Sequence, residues 1–190
     1  MTQPLHSLIE EHGRIRRMLG RFEAQLALFE KAEAPDYEIL GGSIAYCSEY
    51  LDCWHHAKED ALLELLRRRD PGKAARCAEL EDQHKGLAEL TRELVEIFDA
   101  VQRGALLVRQ NLVHRANALL AAYRAHLEWE ETHFFPAAEA ALTAADWQAV
   151  SARFAAPDDP LAANPVDKRY SALFRAIADA AAAEAACAGG

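Results

Sequence analysis

The segment "YLDCWHHAKEDALLELL", from Tyr50 to Leu66, places two adjacent histidines and a carboxylate in a stretch that otherwise has the apolar spacing of a core-facing helix. Residues four apart in an α-helix lie on the same face, one turn along. His55 and Glu59 therefore point the same way and can bind one centre. His56 lies ~100° further around the axis, so we expect it to point elsewhere.

The composition of the whole chain is helical. Ala, Leu, Glu and Arg dominate, and 51% of the 190 residues are hydrophobic, which excludes a disordered chain and is enough for one compact domain. Breaks at "EAPD", "DPG" and "RGA" separate four predicted helices, at about residues 4–31, 36–69, 71–103 and 107–142. Long helices with short connections predict an all-α, up-down-up-down four-helix bundle over residues 1–150.

Residues 151–190 are predicted to add a loop and a C-terminal helix that packs on the bundle. Thr143 is expected to cap a short helix before this segment. A loop is expected from Ala156, followed by a helix over about residues 167–186. One side of that helix carries the apolar residues that would face the bundle, Tyr170, Leu173, Phe174 and Ile177.

Charge and cysteine content exclude several classes of partner. The net charge is −9, so nucleic acid and anionic membranes are poor partners. No stretch is long enough to span a membrane, and the first residues lack an apolar signal core, so we expect a soluble, cytoplasmic protein. The four cysteines form no CxxC pair and are expected to be free thiols. An oligomer is compatible with the sequence, and a homodimer is one such arrangement.

Four histidines fall at matching heights in the predicted bundle. His126 and Glu130, in "HLEWEETHFFP", repeat the His55–Glu59 spacing on the fourth helix, while His12 lies in "EEHGRI" and His84 in "EDQHKGL". Histidines on successive helices are nearly equidistant from the turn between those helices, which in an antiparallel bundle means equal height. The sequence therefore predicts one layer with these residues: His12, His55, Glu59, His84, His126 and Glu130.

The remaining histidines are expected outside this layer. His6 and His114 each lie ~120° away from the face of the nearest layer histidine, and His56 lies ~100° away. His133 shares the face of His126 but lies about two turns further along the helix.

Buried imidazoles and carboxylates are costly unless they are paired, and a metal removes that cost. Mixed nitrogen and oxygen ligands suit iron, manganese or zinc, and the absence of thiolate argues against a structural zinc site. Six ligands match two ions better than one, with two carboxylates as bridges and the histidines at the ends. Bridging oxide or hydroxide, or bound oxygen, would offset the remaining positive charge.

The stretches "EEHGRI", "WHHAKEDALLELL", "EDQHKGL" and "YRAHLEWEETHFFP", in this order, resemble the hemerythrin-like (HHE cation-binding) family of the bacterial type over roughly the first 150 residues. This resemblance implies a four-helix bundle with a non-haem di-iron centre that binds or senses dioxygen, nitric oxide or peroxide, or handles iron. It implies His12 and His55 on one iron, His84 and His126 on the other, and two bridging carboxylates, Glu59 and Glu130.

Two positions depart from the oxygen-carrying members of that family. Those members have a further histidine one turn after the third-helix ligand, where this chain has Ala88, so a vacancy, a water or Glu81 is expected there. Their second bridge is an aspartate at the position of Glu131, whereas the spacing here favours Glu130. These departures weaken simple oxygen carriage and favour redox chemistry.

Two other functions are compatible with the sequence. A ferritin-like di-iron oxidase or iron store would use ExxH pairs, here Glu81–His84 and Glu130–His133, but these lie on the third and fourth helices rather than the second and fourth. A metal-free helical interaction module would contain no iron. A binding or sensing protein is favoured over an enzyme. Hydrolase and nucleotide-binding roles are disfavoured in particular, because no triad and no phosphate-binding glycine loop is evident.

Overall fold

The computed structural model describes residues 3–103, 109–153, 159–163 and 167–188, with side chains described between residues 5 and 182. All regular structure in these ranges is helical. The α-helices are α1 (Gln3–Glu30), α2 (Tyr37–Ala45), α3 (His56–Arg69), α4 (Pro71–Arg76), α5 (Glu79–Gln102), α6 (Arg109–Trp129), α7 (Phe135–Ala141), α8 (Ala144–Arg153) and α9 (Ser171–Ala188). Two π-helical segments, Tyr46–His55 and Glu130–Phe134, and a 3-10 turn, Lys168–Tyr170, complete the order.

Four long helical runs form the bundle. The first is α1 and the third is α5, while the second joins α2, the first π segment and α3, and the fourth joins α6, the second π segment and α7. The start predicted near Leu107 lies outside the described residues. The predicted third helix was wrong in one respect, because it is interrupted after α4. Asp70 caps α4 by accepting from the Lys73 amide, and the Cys77 amide bonds only three residues back, to Ala74, which ends the helix.

The direction of each run follows from two buried apolar clusters, a larger one that contains Ile15 and a smaller one that contains Leu8. Each run passes through both clusters, in alternating order. Leu8 precedes Ile15, Leu51 precedes Leu62, Leu80 precedes Leu87, and Leu127 precedes Phe134. The first and third runs reach the smaller cluster before the larger one, and the second and fourth runs reach it after the larger one. Neighbouring runs are therefore antiparallel, as in the predicted up-down-up-down bundle.

The C-terminal helix docks where the sequence predicts. Tyr170, Leu173 and Ile177 are buried in the larger cluster, and Phe174 packs against it partly buried. α9 contacts α1 and α2. The approach is close at Gly42, where an added Cβ would lie 2.9 Å from the Arg169 carbonyl oxygen. The division of the chain at residue 150 stays a prediction, and most of the predicted loop from Ala156 lies outside the described residues.

Thr143 caps α8 as predicted. Its hydroxyl accepts from the Asp146 amide at 3.3 Å, and the Asp146 carboxylate accepts from the Thr143 amide at 2.9 Å. This reciprocal pair is a capping box. It orients α8 so that Trp147 and Val150 are buried in the smaller cluster.

Within the described ranges, no helix combines the length and the apolar content that crossing a membrane would require. Cys47, Cys53 and Cys77 carry free thiols, and only Cys53 is exposed. The side chain of Cys187 lies outside the described set.

Replacing Gly42 with Ala should destabilise the protein by about 1–3 kcal/mol, because the new methyl group would press on the backbone of residue 169. Gly86→Ala is the matched control on α5, where an added Cβ meets no atom within 4 Å. That change should stabilise the protein by about 0.5–1 kcal/mol, since alanine favours the helix interior. Denaturant unfolding of both variants tests this, and shifts of the same sign would contradict it.

Candidate metal centre

Seven titratable side chains lie in one layer between the two apolar clusters, and all are buried. They are His12, His55, His56, Glu59, His84, His126 and Glu130. Their ligand atoms form two overlapping groups, in each of which every atom lies within 4.8 Å of the others. One group contains His12, His55, Glu59 and Glu130, and the other contains His56, Glu59, His84 and His126. The structure thus brings together all six residues that the sequence nominated, whose role as ligands stays a prediction.

The two carboxylates occupy the middle of the layer. Glu59 places Oε1 3.3 Å from His55 Nε2 and 3.5 Å from His12 Nε2, and its Oε2 lies 3.6 Å from His84 Nε2. Glu130 places Oε2 3.3 Å from His126 Nε2 and 3.4 Å from His12 Nε2, and its Oε1 lies 3.7 Å from His84 Nε2. Each carboxylate therefore faces histidines of both groups.

The atoms that face the centre of the layer are unpaired. The Nε2 atoms of the five histidines and both oxygens of Glu59 and Glu130 have no hydrogen-bond partner among the described residues. Buried polar atoms are almost always paired, so nine such atoms in one place call for an explanation. Separations of 3.3 to 3.7 Å are long for hydrogen bonds but suit two donors that each lie about 2.1 Å from a shared ion. The donor set therefore fits metal ions.

His56 was expected outside the layer, and this prediction was wrong. Its side chain is 3% exposed, and its ring stacks on that of His84 with centroids 4.3 Å apart. The cause is the first π segment, at whose end the His56 amide donates to the Leu51 carbonyl, five residues back. A π turn holds more residues than an α turn, so adjacent side chains diverge less than α-helical geometry assumes. Both His55 and His56 consequently face inward.

Ala88 stands where the sequence left three alternatives to a fifth histidine, namely a vacancy, a water or Glu81. The Glu81 carboxylate accepts two hydrogen bonds of 2.8 Å from Arg67, is 40% exposed and lies outside both groups of ligand atoms. His56 instead supplies the third imidazole of the group that contains His84 and His126.

Each layer histidine has a polar partner at its other ring nitrogen. Nδ1 lies 2.9 Å from Glu131 in His12, 2.9 Å from Glu11 in His55, 2.8 Å from Asp60 in His84, 3.0 Å from Gln83 in His126 and 3.5 Å from Asp52 in His56. A nitrogen that donates to such an acceptor leaves the opposite nitrogen, Nε2, with its lone pair free. The partners therefore orient all five rings with Nε2 toward the centre.

Four of these partners follow a rule that can be seen in the sequence. Each is adjacent in sequence to a layer residue on its own helix, and its side chain reaches the histidine of the next helix. Glu11 follows this rule beside His12, Asp60 beside Glu59, Gln83 beside His84, and Glu131 beside Glu130. Adjacent positions lie ~100° apart, which directs the partner to the seam between helices. The four contacts form a closed ring around the bundle.

Glu131 has an arginine as a second hydrogen-bond partner, in addition to its histidine. The sequence favoured Glu130 over Glu131 as a bridge, and the Glu131 carboxylate lies outside the two groups of ligand atoms. It accepts from Arg16 at 2.8 and 2.9 Å as well as from His12. The His12 hydrogen bond, opposed by partial burial and helped by Arg16, holds the pKa of Glu131 down at about 2.

The electrostatics of the layer are unfavourable without a cation. Burial and the facing carboxylate of Glu59 raise the pKa of Glu130 to about 8. Burial lowers the pKa of His84, but the hydrogen bond to Asp60 and the nearby negative charge of the two central carboxylates outweigh it and raise that pKa to about 11. Burial lowers the pKa of His126, which lies beside the neutral Gln83, to about 3. Protons thus occupy places that a divalent ion would take.

The other three histidines lie outside the layer. His6 is exposed beside Glu10, at 3.4 Å, and His114 is exposed on α6, so both predictions of position are confirmed. His133 is exposed and stacks on Trp129 with ring centroids 5.5 Å apart.

No curated protein and no solved structure matches the sequence. The family model described as "Hemerythrin HHE cation binding domain" matches residues 3–138, which is most of the chain and includes the whole layer. The helical bundle, the buried layer and this match lead to one conclusion. The chain belongs to the hemerythrin family and contains its HHE cation-binding domain.

Proposed function

We propose that the chain binds two iron ions in the layer and uses them to bind dioxygen or peroxide. The observation that carries the proposal is the set of nine buried, unpaired donor atoms aimed at one centre. Glu59 and Glu130 would bridge the ions, since each faces histidines of both groups. When bound, the iron pair supplies redox chemistry and a coordination site for a small ligand.

The chemistry of the donors supports iron. Imidazole and carboxylate without thiolate suit iron, manganese or zinc, and membership of the hemerythrin family favours iron among these. Two carboxylates offset only part of the charge of two divalent ions. A bridging oxide or hydroxide would offset more of it.

The two groups differ in their number of histidines, which suggests where a small ligand binds. His12 and His55 would hold one ion, and His56, His84 and His126 would hold the other, while Glu59 belongs to both groups. The small ligand would bind on the side that has two histidines. The Phe135 ring, whose centroid is 5.0 Å from that of His12, makes the nearby wall apolar. Such a wall suits a small, uncharged ligand.

His56 also removes an objection to oxygen binding. The sequence weakened that function because Ala88 occupies the place of the fifth histidine of oxygen carriers. With His56 in the layer, five imidazoles and two carboxylates are present after all. Reversible binding of dioxygen therefore stays part of the proposal, together with the sensing or reduction of peroxide. Nitric oxide is a third small ligand that such a centre would bind.

The ferritin-like alternative has less support. It would need Glu81 and His133 as ligands, and both point outward, toward Arg67 and Trp129 respectively. A metal-free interaction module would leave the nine donor atoms unexplained. The cytoplasmic location and the oligomeric state stay predictions.

Iron analysis with an optical spectrum under anaerobic reduction and then under air tests the proposal directly. We expect two iron ions per chain and an absorption change on exposure to air that anaerobic reduction reverses. A protein that takes up no iron from a ferrous solution would contradict the proposal.

His56→Ala should reduce the tightly bound iron from two ions to one, because it removes one of three imidazoles from the second group. The melting temperature of the iron-loaded protein should fall too, since binding to the native state adds to stability. His6→Ala, at an exposed position, is the control and should keep two ions. Mass spectrometry of iron after gel filtration decides the point, and equal iron content in both variants would exclude His56 as a ligand.

Asp60→Ala should weaken iron binding about 10- to 100-fold, because it removes the acceptor that orients His84. The side chain of Asp60 is 48% exposed, so the substitution leaves no large cavity. Asp82→Ala, which removes an exposed partner of Lys85, serves as the control. Competition with a coloured chelator measures both affinities. An Asp60 variant that binds iron as tightly as the Asp82 variant would show that orientation of His84 does not matter.

Iron affinity should rise with pH through the neutral range. Glu130, with a pKa near 8, and His84, with a pKa near 11, hold protons at pH 7 in the absence of metal, and iron must displace them. Raising the pH removes that competition, so the sign is a gain in affinity. Addition of ferrous iron to a lightly buffered solution should therefore release protons, as an indicator dye would show. An affinity that is the same at about pH 6 and about pH 8 would contradict this.

A further inference from the structure

Three buried tyrosines, Tyr50, Tyr46 and Tyr170, contact one another in a row that starts beside the layer. Tyr50 donates its hydroxyl to Glu11 at 3.3 Å, and Glu11 accepts from His55 Nδ1 at 2.9 Å. The Tyr50 ring stacks on that of Tyr46, with centroids 5.3 Å apart and planes 21° apart. The Tyr46 ring in turn meets that of Tyr170 edge to face at 6.4 Å. These contacts connect a proposed iron ligand with α9.

Each phenol in this path has a carboxylate as its hydrogen-bond acceptor. Beyond Tyr50 and Glu11, Tyr46 donates to Asp159 at 3.0 Å and Tyr170 donates to Glu49 at 2.9 Å. A phenol loses an electron easily only if its proton leaves at the same time, because the oxidised phenol is a strong acid. Asp159 and Glu49 can accept that proton and return it. Packing alone does not require these pairs, since phenylalanine would fill the same space.

The outer end of the path lies behind the wall of a surface groove of about 590 Å³, because Tyr170 itself is buried. The partner of Tyr170, Glu49, lines this groove together with Arg169, and Val95 and Phe98 add apolar surface. Arg169 also lies over the Tyr170 ring, 5.7 Å from its centroid. A small organic donor would find both apolar contact and charge beside the last tyrosine.

We propose that Tyr50, Tyr46 and Tyr170 form an electron-transfer path by which a small one-electron donor in this groove, such as ascorbate or a phenol, reduces peroxide at the buried metal centre. The inference rests on the proposed function and extends it to a peroxidase-type reaction. The inference adds a class of electron donor and a second binding site, neither of which follows from the layer alone.

The reaction balances as one hydrogen peroxide and two donor molecules, each with one O–H bond, giving two water molecules and two donor radicals. The O–O bond of the peroxide and one O–H bond in each donor break, and two O–H bonds form in the water molecules. The two donors release two protons to solvent, and the peroxide oxygens take up two, so the protons balance. Each electron leaves a donor at Tyr170 and passes through Tyr46 and Tyr50 to the centre. The phenol proton of each outer tyrosine moves to its carboxylate and returns when the next electron arrives. The two electrons taken from the donors equal the two that the peroxide accepts, so the protein itself undergoes no net oxidation or reduction.

The experiment compares four forms of the iron-loaded, ferric protein: the wild type, Tyr46→Phe, Tyr170→Phe and Tyr123→Phe. Tyr123 is the matched control, because it is buried beside His56 with ring centroids 6.1 Å apart but is not part of the path. Iron content and melting temperature are measured first, so that any variant that fails to load or fold is recognised. Tyr170 lies at the end of the path nearest the groove, and its variant keeps the path falsifiable if Tyr46→Phe does not fold.

After addition of hydrogen peroxide, the frozen wild type should show a tyrosyl radical in its electron paramagnetic resonance spectrum. Ring-deuterated tyrosine should change the hyperfine pattern, and ascorbate should quench the signal. The Tyr46 and Tyr170 variants should lose ascorbate oxidation, while the Tyr123 variant should retain it. Bound iron without a radical, or ascorbate oxidation that persists in both path variants, would overturn the inference alone. Absence of bound iron would overturn the proposed function and this inference together.

Discussion

The orientation of five imidazole rings is the constraint on which the rest of this bundle depends. Each ring is held by a contact at Nδ1, and each consequently turns Nε2 toward two buried carboxylates. An apolar four-helix core would be more stable without such a layer, because each buried ion loses several kcal/mol of hydration. The layer is tolerable only if cations complete it. The apolar clusters on both sides exclude water, which would otherwise hydrate the buried charges.

The helices depart from α geometry at two places, and each of these places contributes residues to the layer. The first π segment ends at His55 and lets His56 face inward, and the second begins at Glu130 and lets Glu131 reach His12. Pro136 follows the second segment and lacks the amide hydrogen that regular α-helix would use there. π-Helical segments within α-helices occur frequently at functional sites. Here the π segments direct donor atoms into the layer, and an unbroken α-helix would direct fewer of them inward.

The C-terminal segment is coupled to the layer by polar contacts as well as by apolar packing. Asp159, which precedes α9, accepts from Tyr46 at 3.0 Å and from Arg14 on α1 at 2.5 Å, and it is buried. Tyr46 stacks on Tyr50, whose partner Glu11 holds His55. A conformational change in the layer would therefore be transmitted through these contacts to the C-terminal segment. Lys58 adds a charge-assisted contact of 2.7 Å to Glu11 and keeps the pKa of that carboxyl low together with His55, against the effect of burial.

The sequence by itself determined the bundle, its direction and six members of the layer. Apolar spacing and breakers depend on local geometry, and equal heights follow from a constant rise per residue, so Leu8, His12 and Ile15 could be placed without coordinates. Only the tertiary structure decided the role of His56, because a π turn is stabilised by packing and has no local sequence signal as clear as a proline or a cap. The break after α4 was missed for a similar reason. Four of the five Nδ1 partners lie 24 to 119 positions from their histidine, and such contacts exist only once the helices are side by side.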